Sequence, residues 1–345
     1  ETSSTVSTRE DDTDTATTLM GVEIPHLAYE LMALGYNGYA FGQLAWNIAR
    51  FKPDVVYERY SMFTVGGLLA SKLFRVPFVL EVNAPLSQEQ KEIGDLKMRG
   101  LAQRMEDWLC KNATGTVVVT EAMKGIFVER GLPADRFVVM PNGVDRAEFN
   151  PDVSGDEIRQ RYGLEGMTVA GFVGWIRPWH GVDMLINAFA EKAADLPKMR
   201  LLIVGDGPAI PALKEQVKEL SLGDKVIFTG PVAQGDVPAH LAAMDMTIQP
   251  NVTDYASPIK LFEYLAMGKA VIALDKPNIR EVVQDGQEAL LFPPGDTSAL
   301  AGCLQRLYED EPLRNQLASA SVAAVERRGF FWENNAARVI DLVRK

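Results

Sequence analysis

Cysteine is almost missing from this chain: of 345 residues only Cys110 and Cys303 carry a thiol, and histidine occurs three times. Two distant thiols without metal-ligand spacing exclude a disulfide framework and a cysteine zinc site, and they suit a reducing compartment. No apolar run approaches the roughly 18 residues of a membrane span, and no charged-then-apolar signal segment opens the sequence. The Asn-x-Thr sites at Asn112 and Asn251 are therefore expected to stay unused, and the expected location is cytoplasmic, with the inner face of the membrane as a second option. Positive charge is also scarce: 35 Lys and Arg face 46 Asp and Glu, a formal net charge of -11. Such a field repels nucleic acid and anionic membranes, so a phosphate site has to be built locally.

What is present is apolar and regular. The chain is 47% hydrophobic and 23% charged, enough for two separate cores. Residues 1–21 are the exception, a Thr-, Ser- and Asp-rich stretch expected to be disordered or mobile, with Asp11, Asp12 and Asp14 as solvated charges rather than metal ligands. From 22 to 147, β-rich runs such as "DVVYERY", "PFVLEVN", "GTVVVT" and "FVVMPN" alternate with helical patterns, which predicts a parallel sheet with crossover helices. Asn, Gly, Pro and Asp break the pattern around 148–165, the expected linker. Between 166 and 328 six strand patterns, "TVAGFVG", "RLLIVG", "KVIFTG", "MTIQP", "AVIALD" and "ALLFPP", alternate with helices as one complete doubly wound domain. Residues 329–345 read as an amphipathic helix expected to pack back on the first domain. Residues 26–51 read as helix and turn only. The helical stretch 89–112 mixes Lys and Arg with Leu, Met and Trp108; an ordinary surface helix is favoured over weak peripheral membrane contact.

The stretch "DYASPIKLFEYLAMGKAVIA", residues 254–273, concentrates the chemistry. Ser257 suits an N-cap and Pro258 a first helical position, so the free N–H groups of the helix start there and attract phosphate. Ile259, Phe262, Leu265 and Ala266 form the apolar stripe, Glu263 lies at its edge and Lys260 on the exposed flank one turn away. Side chains lean toward the helix start. Spacing alone leaves two readings open: a diphosphate and ribose site, or an i, i+3 surface ion pair worth about 0.2–0.5 kcal/mol.

With "GFVGWIRPWHGVDMLINAF", "LLIVGDGP", "FTGPV" and "PNGVD", the stretch resembles the retaining nucleotide-sugar glycosyltransferases of family 4, which have the GT-B fold. The resemblance runs from "DVVYERY" to the C-terminus. It implies two facing Rossmann-like domains, a donor held by the second, an acceptor held by the first, and neither a metal nor another cofactor. The family's opening strand, Gly-rich loop and helix have no counterpart here, so the N-terminal domain is expected to be incomplete. Glu263 matches the ribose-binding glutamate that ends the family's Glu-x7-Glu signature, and Ser257, Pro258 and Ile259 match the segment that meets the diphosphate. Val232 matches the backbone contact to the base, Asn142 lies at the hinge, and Asn83 at a strand end near the sugar. Two departures stand out. Tyr255 replaces the first glutamate of the signature, with Asp254 beside it as a substitute. After Gly174, Trp175 and His180 stand where relatives have Arg and Lys. Arg177 and Lys260 then supply the catalytic cations, and His180 supplies a hydrogen bond whose protonation would matter near neutral pH. Trp175 and Trp179 are expected in the core or the cleft wall, and Glu58 and Arg59 at a strand end.

The resemblance thus implies transfer of a sugar, foremost from a UDP-sugar, to an acceptor hydroxyl with retention. Saccharides, lipid carriers and small metabolites are the acceptor classes, in polysaccharide or glycoconjugate synthesis, and nucleic acid is not a partner. A noncatalytic nucleotide-sugar binder or an inactive fragment is the alternative, with a nucleotide-sugar epimerase behind it.

Overall fold

The computed structural model describes residues 16–19, 22–93 and 96–344, in two compact units. The first runs to Met140 and includes Val339 onward; the second runs from Pro141 to Arg338. The division precedes the linker expected at 148–165, where Asp156–Tyr162 form a helix. The physical cause is local: Asn142 bonds Ser257, and Val144 is bracketed by Phe330 and Trp332, all within the second unit.

In the first unit β1 (Ala16–Leu19) pairs antiparallel with β2 (Val22–Pro25), in register from Ala16 opposite Pro25 to Leu19 opposite Val22. A strand thus lies inside the segment expected to be mobile, since β-branched Thr17, Thr18, Val22 and Ile24 favour extended backbone. Residues 1–15, with Asp11, Asp12 and Asp14, lie outside the described residues, as do 20 and 21. One unbroken helix follows, α1 (His26–Phe51), where helix and turn were expected. Then come β3 (Val56–Arg59), α2 (Gly66–Phe74), β4 (Phe78–Val82), α3 (Leu86–Ile93), α4 (Arg99–Asn112), β5 (Gly115–Val118), α5 (Glu121–Glu129) and β6 (Phe137–Val139). The four later strands form a parallel sheet in the order β3-β4-β5-β6.

The helical stretch 89–112 is not continuous. Its second helix starts at Arg99, and the Glu30 carboxylate accepts the N–H groups of Lys97 and Met98 at 2.6 and 2.7 Å just before it.

The second unit holds α6 (Asp156–Tyr162), β7 (Thr168–Val173), α7 (Val182–Lys192), β8 (Met199–Val204), α8 (Ile210–Glu219), β9 (Val226–Phe228), α9 (Val237–Ala242), β10 (Met246–Gln249), α10 (Ile259–Ala266), β11 (Ala270–Leu274), α11 (Pro277–Arg280), β12 (Ala289–Phe292), α12 (Thr297–Glu309) and α13 (Glu311–Arg328). All six expected strands are present, parallel, in the order β12-β11-β10-β7-β8-β9. Helices cover both faces, which is why β10 and β11 are buried at every position. From β7 the chain winds outward through β8 and β9, then returns to β10 and winds the other way. That reversal is the switch point where doubly wound sheets bind ligands, beyond the C-terminal strand ends.

The last helix, α14 (Trp332–Arg344), places Val339, Leu342 and Val343 against Val79, Val117 and Met140 of the first unit's core. A side chain at Gly115 would collide with Leu342, its Cβ only 2.5 Å from that residue's Cδ2. Among the described residues no helix is long and apolar enough to cross a membrane.

Candidate functional site

The switch point opens because β7 and β10 pair over only two positions, Met246 opposite Ala170 and Thr247 opposite Gly171. Beyond them the strands splay. The N–H of Val173 loses its strand partner there and donates instead to the Tyr264 hydroxyl at 3.1 Å. Tyr264 is fully buried in α10, so this bond fixes the helix start against the end of β7.

Two backbone turns shape the floor. Gly174 has φ 148°, and a Cβ there would stand 3.1 Å from the Lys260 ammonium. Gly205, at φ 118°, leaves no room for a side chain: its Cβ would lie 2.1 Å from the Gly174 carbonyl oxygen. The glycine of "GDGP" therefore allows backbone to meet backbone under the site.

Helix α10 begins one residue later than expected. Pro258 is extended, with ψ 114°, and is the cap residue. Ser257 does not cap the helix; its hydroxyl accepts the Asn142 N–H at 3.1 Å while the Asn142 amide donates to its carbonyl at 2.6 Å. Ile259 is 47% exposed, not part of the buried stripe, because it occupies the first helical position above the sheet edge. Leu261, Phe262, Tyr264 and Leu265 make the core contact. Among the described residues the N–H groups of Ser257, Ile259 and Lys260 have no acceptor, which leaves an anion-binding helix start.

Lys260 is not on an exposed flank. It is half-buried, its ammonium 4.1 Å from the centroid of the Phe172 ring. Burial lowers its pKa to about 8, partly offset by Glu263. Glu263 is also half-buried; burial raises its carboxyl to about 7, Lys260 opposes that shift, and Glu148 adds to it. The two do not form the ion pair that their spacing permits, and among the described residues neither side chain has a hydrogen-bond or ion-pair partner; the Glu263 carbonyl accepts the Met267 N–H at the helix end. Desolvated charges without partners are unfavourable in the free protein, and clefts that hold them are sites for charged ligands.

His180 belongs to the same cluster. Its Nδ1 accepts the Arg177 N–H at 3.3 Å, so the neutral ring carries its proton on Nε2. Burial, then Lys260 and Arg177, push its pKa down to about 4. The imidazole is neutral at pH 7, contrary to the expectation that it titrates there. Arg177 stacks its guanidinium 4.9 Å over the Trp179 ring. Trp175 and Trp179 are not core residues: they are 58% and 51% exposed, while buried Ile176 anchors that loop, its N–H donating to the Asp206 carbonyl at 2.7 Å, and Asn251 donates to the Trp179 carbonyl at 3.0 Å.

Gly174, Arg177, His180, Asn142, Ser257, Pro258, Ile259, Lys260 and Glu263 thus lie at one edge of the second sheet. Val232 follows β9 at that edge and is half-buried against the core. Tyr255 is half-buried in the loop before α10. Asp254 is engaged: its carboxylate pairs with Lys276 at 2.7 Å. Asn83 belongs to the first unit, where its amide donates to Glu81 at 2.7 Å; half-buried Glu58 lies there too, its carboxyl raised by burial. Two contributors carry no sequence signal. Phe172 reads as an ordinary strand residue, and exposed Glu148 acts on Glu263 from far along the chain. Among the described residues no group of three or more His, Cys, Asp or Glu gathers as metal ligands.

Residues 168–310 match the family model described as glycosyl transferases group 1, and residues 3–148 match glycosyltransferase family 4. An alpha-D-kanosaminyltransferase of Streptomyces kanamyceticus is 25% identical, over 82% of this chain and 78% of the relative. A D-inositol 3-phosphate glycosyltransferase of Acidothermus cellulolyticus is 29% identical, over 84% of this chain and 67% of the relative. Among solved structures, Anabaena HepE in complex with UDP superposes with TM-score 0.74 at 23% identity, over 88% of this chain and 81% of that one. Sucrose-phosphate synthase from Thermosynechococcus elongatus superposes with TM-score 0.73 at 19% identity, over 95% and 82%. Two Rossmann-like domains, the second with an anion-ready helix start at its switch point, define a GT-B glycosyltransferase that uses nucleotide-sugar donors. The two matches, one in each half of the chain, together support a GT-B glycosyltransferase of family 4 type.

Proposed function

We propose that this chain transfers a glycosyl group from a UDP-sugar to an acceptor hydroxyl with retention of anomeric configuration. The observation that carries the reading is the unpaired Lys260 and Glu263 on the first turns of α10, beside the free N–H groups at its start. Glu263 accepts the two ribose hydroxyls, the Ser257–Ile259 segment receives the diphosphate, and Val232 contacts the base. Tyr255, in the loop before α10, faces the sugar.

In the reaction the bond between the anomeric carbon and the diphosphate oxygen breaks, and its electron pair leaves with the diphosphate. The acceptor oxygen forms the new bond on the same face, and its proton passes to the departing phosphate oxygen. Lys260 and Arg177 stabilise the charge that develops there, and neutral His180 donates one hydrogen bond from Nε2. Such electrostatic stabilisation is usually the largest catalytic contribution. No metal is assigned a role. The acceptor is a saccharide or small polyhydroxylated metabolite, in keeping with relatives named 2-deoxystreptamine glucosyltransferase and D-inositol 3-phosphate glycosyltransferase.

Purified protein is incubated with UDP- and GDP-sugars and a panel of such acceptors, with release of nucleoside diphosphate followed and the product linkage read by NMR. Acceptor-dependent UDP release with an unchanged anomeric configuration is expected. Saturable donor binding without turnover would make the protein a binder, and an inverted product would remove the same-face mechanism.

A further inference from the structure

The loop joining β10 to α10 is held from behind through its own carbonyl groups. The buried Gln249 amide donates to the Asn251 carbonyl at 2.6 Å. Lys276 donates to the Val252 carbonyl at 2.7 Å and pairs with Asp254 at the same distance. Asn278, fully buried, uses its one amide nitrogen for two carbonyls, Thr253 at 3.0 Å and Ala256 at 2.6 Å. The Ser257 carbonyl is taken by Asn142. Five carbonyls of one short loop thus point toward side-chain donors, and the N–H groups of Ser257, Ile259 and Lys260 remain without acceptors among the described residues.

We propose that Asn278 and Lys276 are positioning residues of the donor site: they set the backbone of 252–256 so that the N–H groups that follow are aimed at the diphosphate. The proposal rests on the nucleotide-sugar reading above. Neither residue belongs to α10 or to the loop itself; both follow β11, Lys276 as cap and Asn278 as second residue of α11. The chemistry required is donation. A carboxylate of the same shape at 278 would set oxygen against two carbonyl oxygens, and Lys276 has to reach a carbonyl and a carboxylate together. The Lys276 pair also holds Asp254, so the carboxylate next to Tyr255 is committed to the loop and not to the sugar.

The test compares diphosphate with monophosphate binding, because the ribose and base contacts do not pass through this loop. Titration calorimetry on the whole chain uses UDP and UMP, with GDP and GMP alongside. Asn278→Asp is expected to weaken UDP tenfold or more and UMP less than twofold. Lys276→Met is expected to weaken UDP severalfold, and Lys276→Arg, which keeps both contacts, to restore it to within twofold of wild type. Should Asn278→Asp fail to fold, the Lys276 pair decides. If the variants bind UDP as wild type does, or lose UDP and UMP in equal proportion, the positioning role is refuted while the nucleotide site stands. If wild type binds none of the four nucleotides, the function proposed above falls, and this inference with it.

Discussion

Replacing Glu263 by glutamine tests the site where structure and proposed chemistry meet most closely. In the free protein burial moves this carboxyl from 4.5 to about 7, an unfavourable contribution on the order of 3 kcal/mol for holding it ionised. The sign follows from linkage. Between pH 4.5 and 7 the folded state holds the proton that the unfolded state has released, so this group's contribution is full below pH 4.5 and is lost as pH rises through about 7. Glu263→Gln removes that slope and keeps size and helix propensity, so the unliganded melting temperature near pH 7 should hold or rise. Donor binding should move the other way. A carboxylate that accepts two ribose hydroxyls makes charge-assisted bonds of about 1.5–3 kcal/mol each, so losing even one costs tenfold in affinity, about 1.4 kcal/mol. Calorimetry with UDP and 2'-deoxy-UDP across pH 5.5 to 8 separates the contributions. Wild type should weaken below about pH 7 and discriminate against the deoxy ligand; the variant should show a flat profile and little discrimination. Equal binding of both ligands by both proteins would leave Glu263 without a ligand role, and the reasoning from burial to function would fail.

Lys260→Met should stabilise the free protein at pH 7, since its pKa of about 8 marks a penalty on the charged form that disappears as pH rises from 8 toward 10.5. The same variant should lower kcat by about 100-fold or more, and a kcat within threefold of wild type would contradict its catalytic role. Gly205→Ala would press its Cβ to 2.1 Å from the Gly174 carbonyl, so thermal melting should drop and UDP affinity fall at least tenfold; retention of both would show that the two turns yield more easily than the geometry implies. Tyr264→Phe strips the Val173 N–H of its acceptor, at about 1–3 kcal/mol, and chemical denaturation should read that loss with an unchanged m-value.

Much of this fold is written in local pattern. The alternation of β-rich runs with helical periods predicted every strand of both parallel sheets; the signal is plainest in β11, apolar and buried at every position because helices cover both faces of the sheet. The helix start after the Ser-Pro pair was legible to within one residue for a similar reason, although Pro258 and not Ser257 is its cap. The misjudged positions are those whose surroundings come from distant segments. Periodicity put Ile259 on the buried stripe and Lys260 outside it, yet the helix start overhangs the splayed ends of β7 and β10, which exposes the isoleucine and lays the lysine over Phe172. Residue type made His180 a group that titrates near neutrality, whereas burial beside two cations keeps it neutral. Asp254 looked available in the sequence, and only the fold brings Lys276 across to occupy it. Hydrophobic spacing is enough to choose an element and its buried face. Which charges stay unpaired at its end depends on segments that meet only when the sheet is assembled, and that meeting decides where the proposed donor site can form.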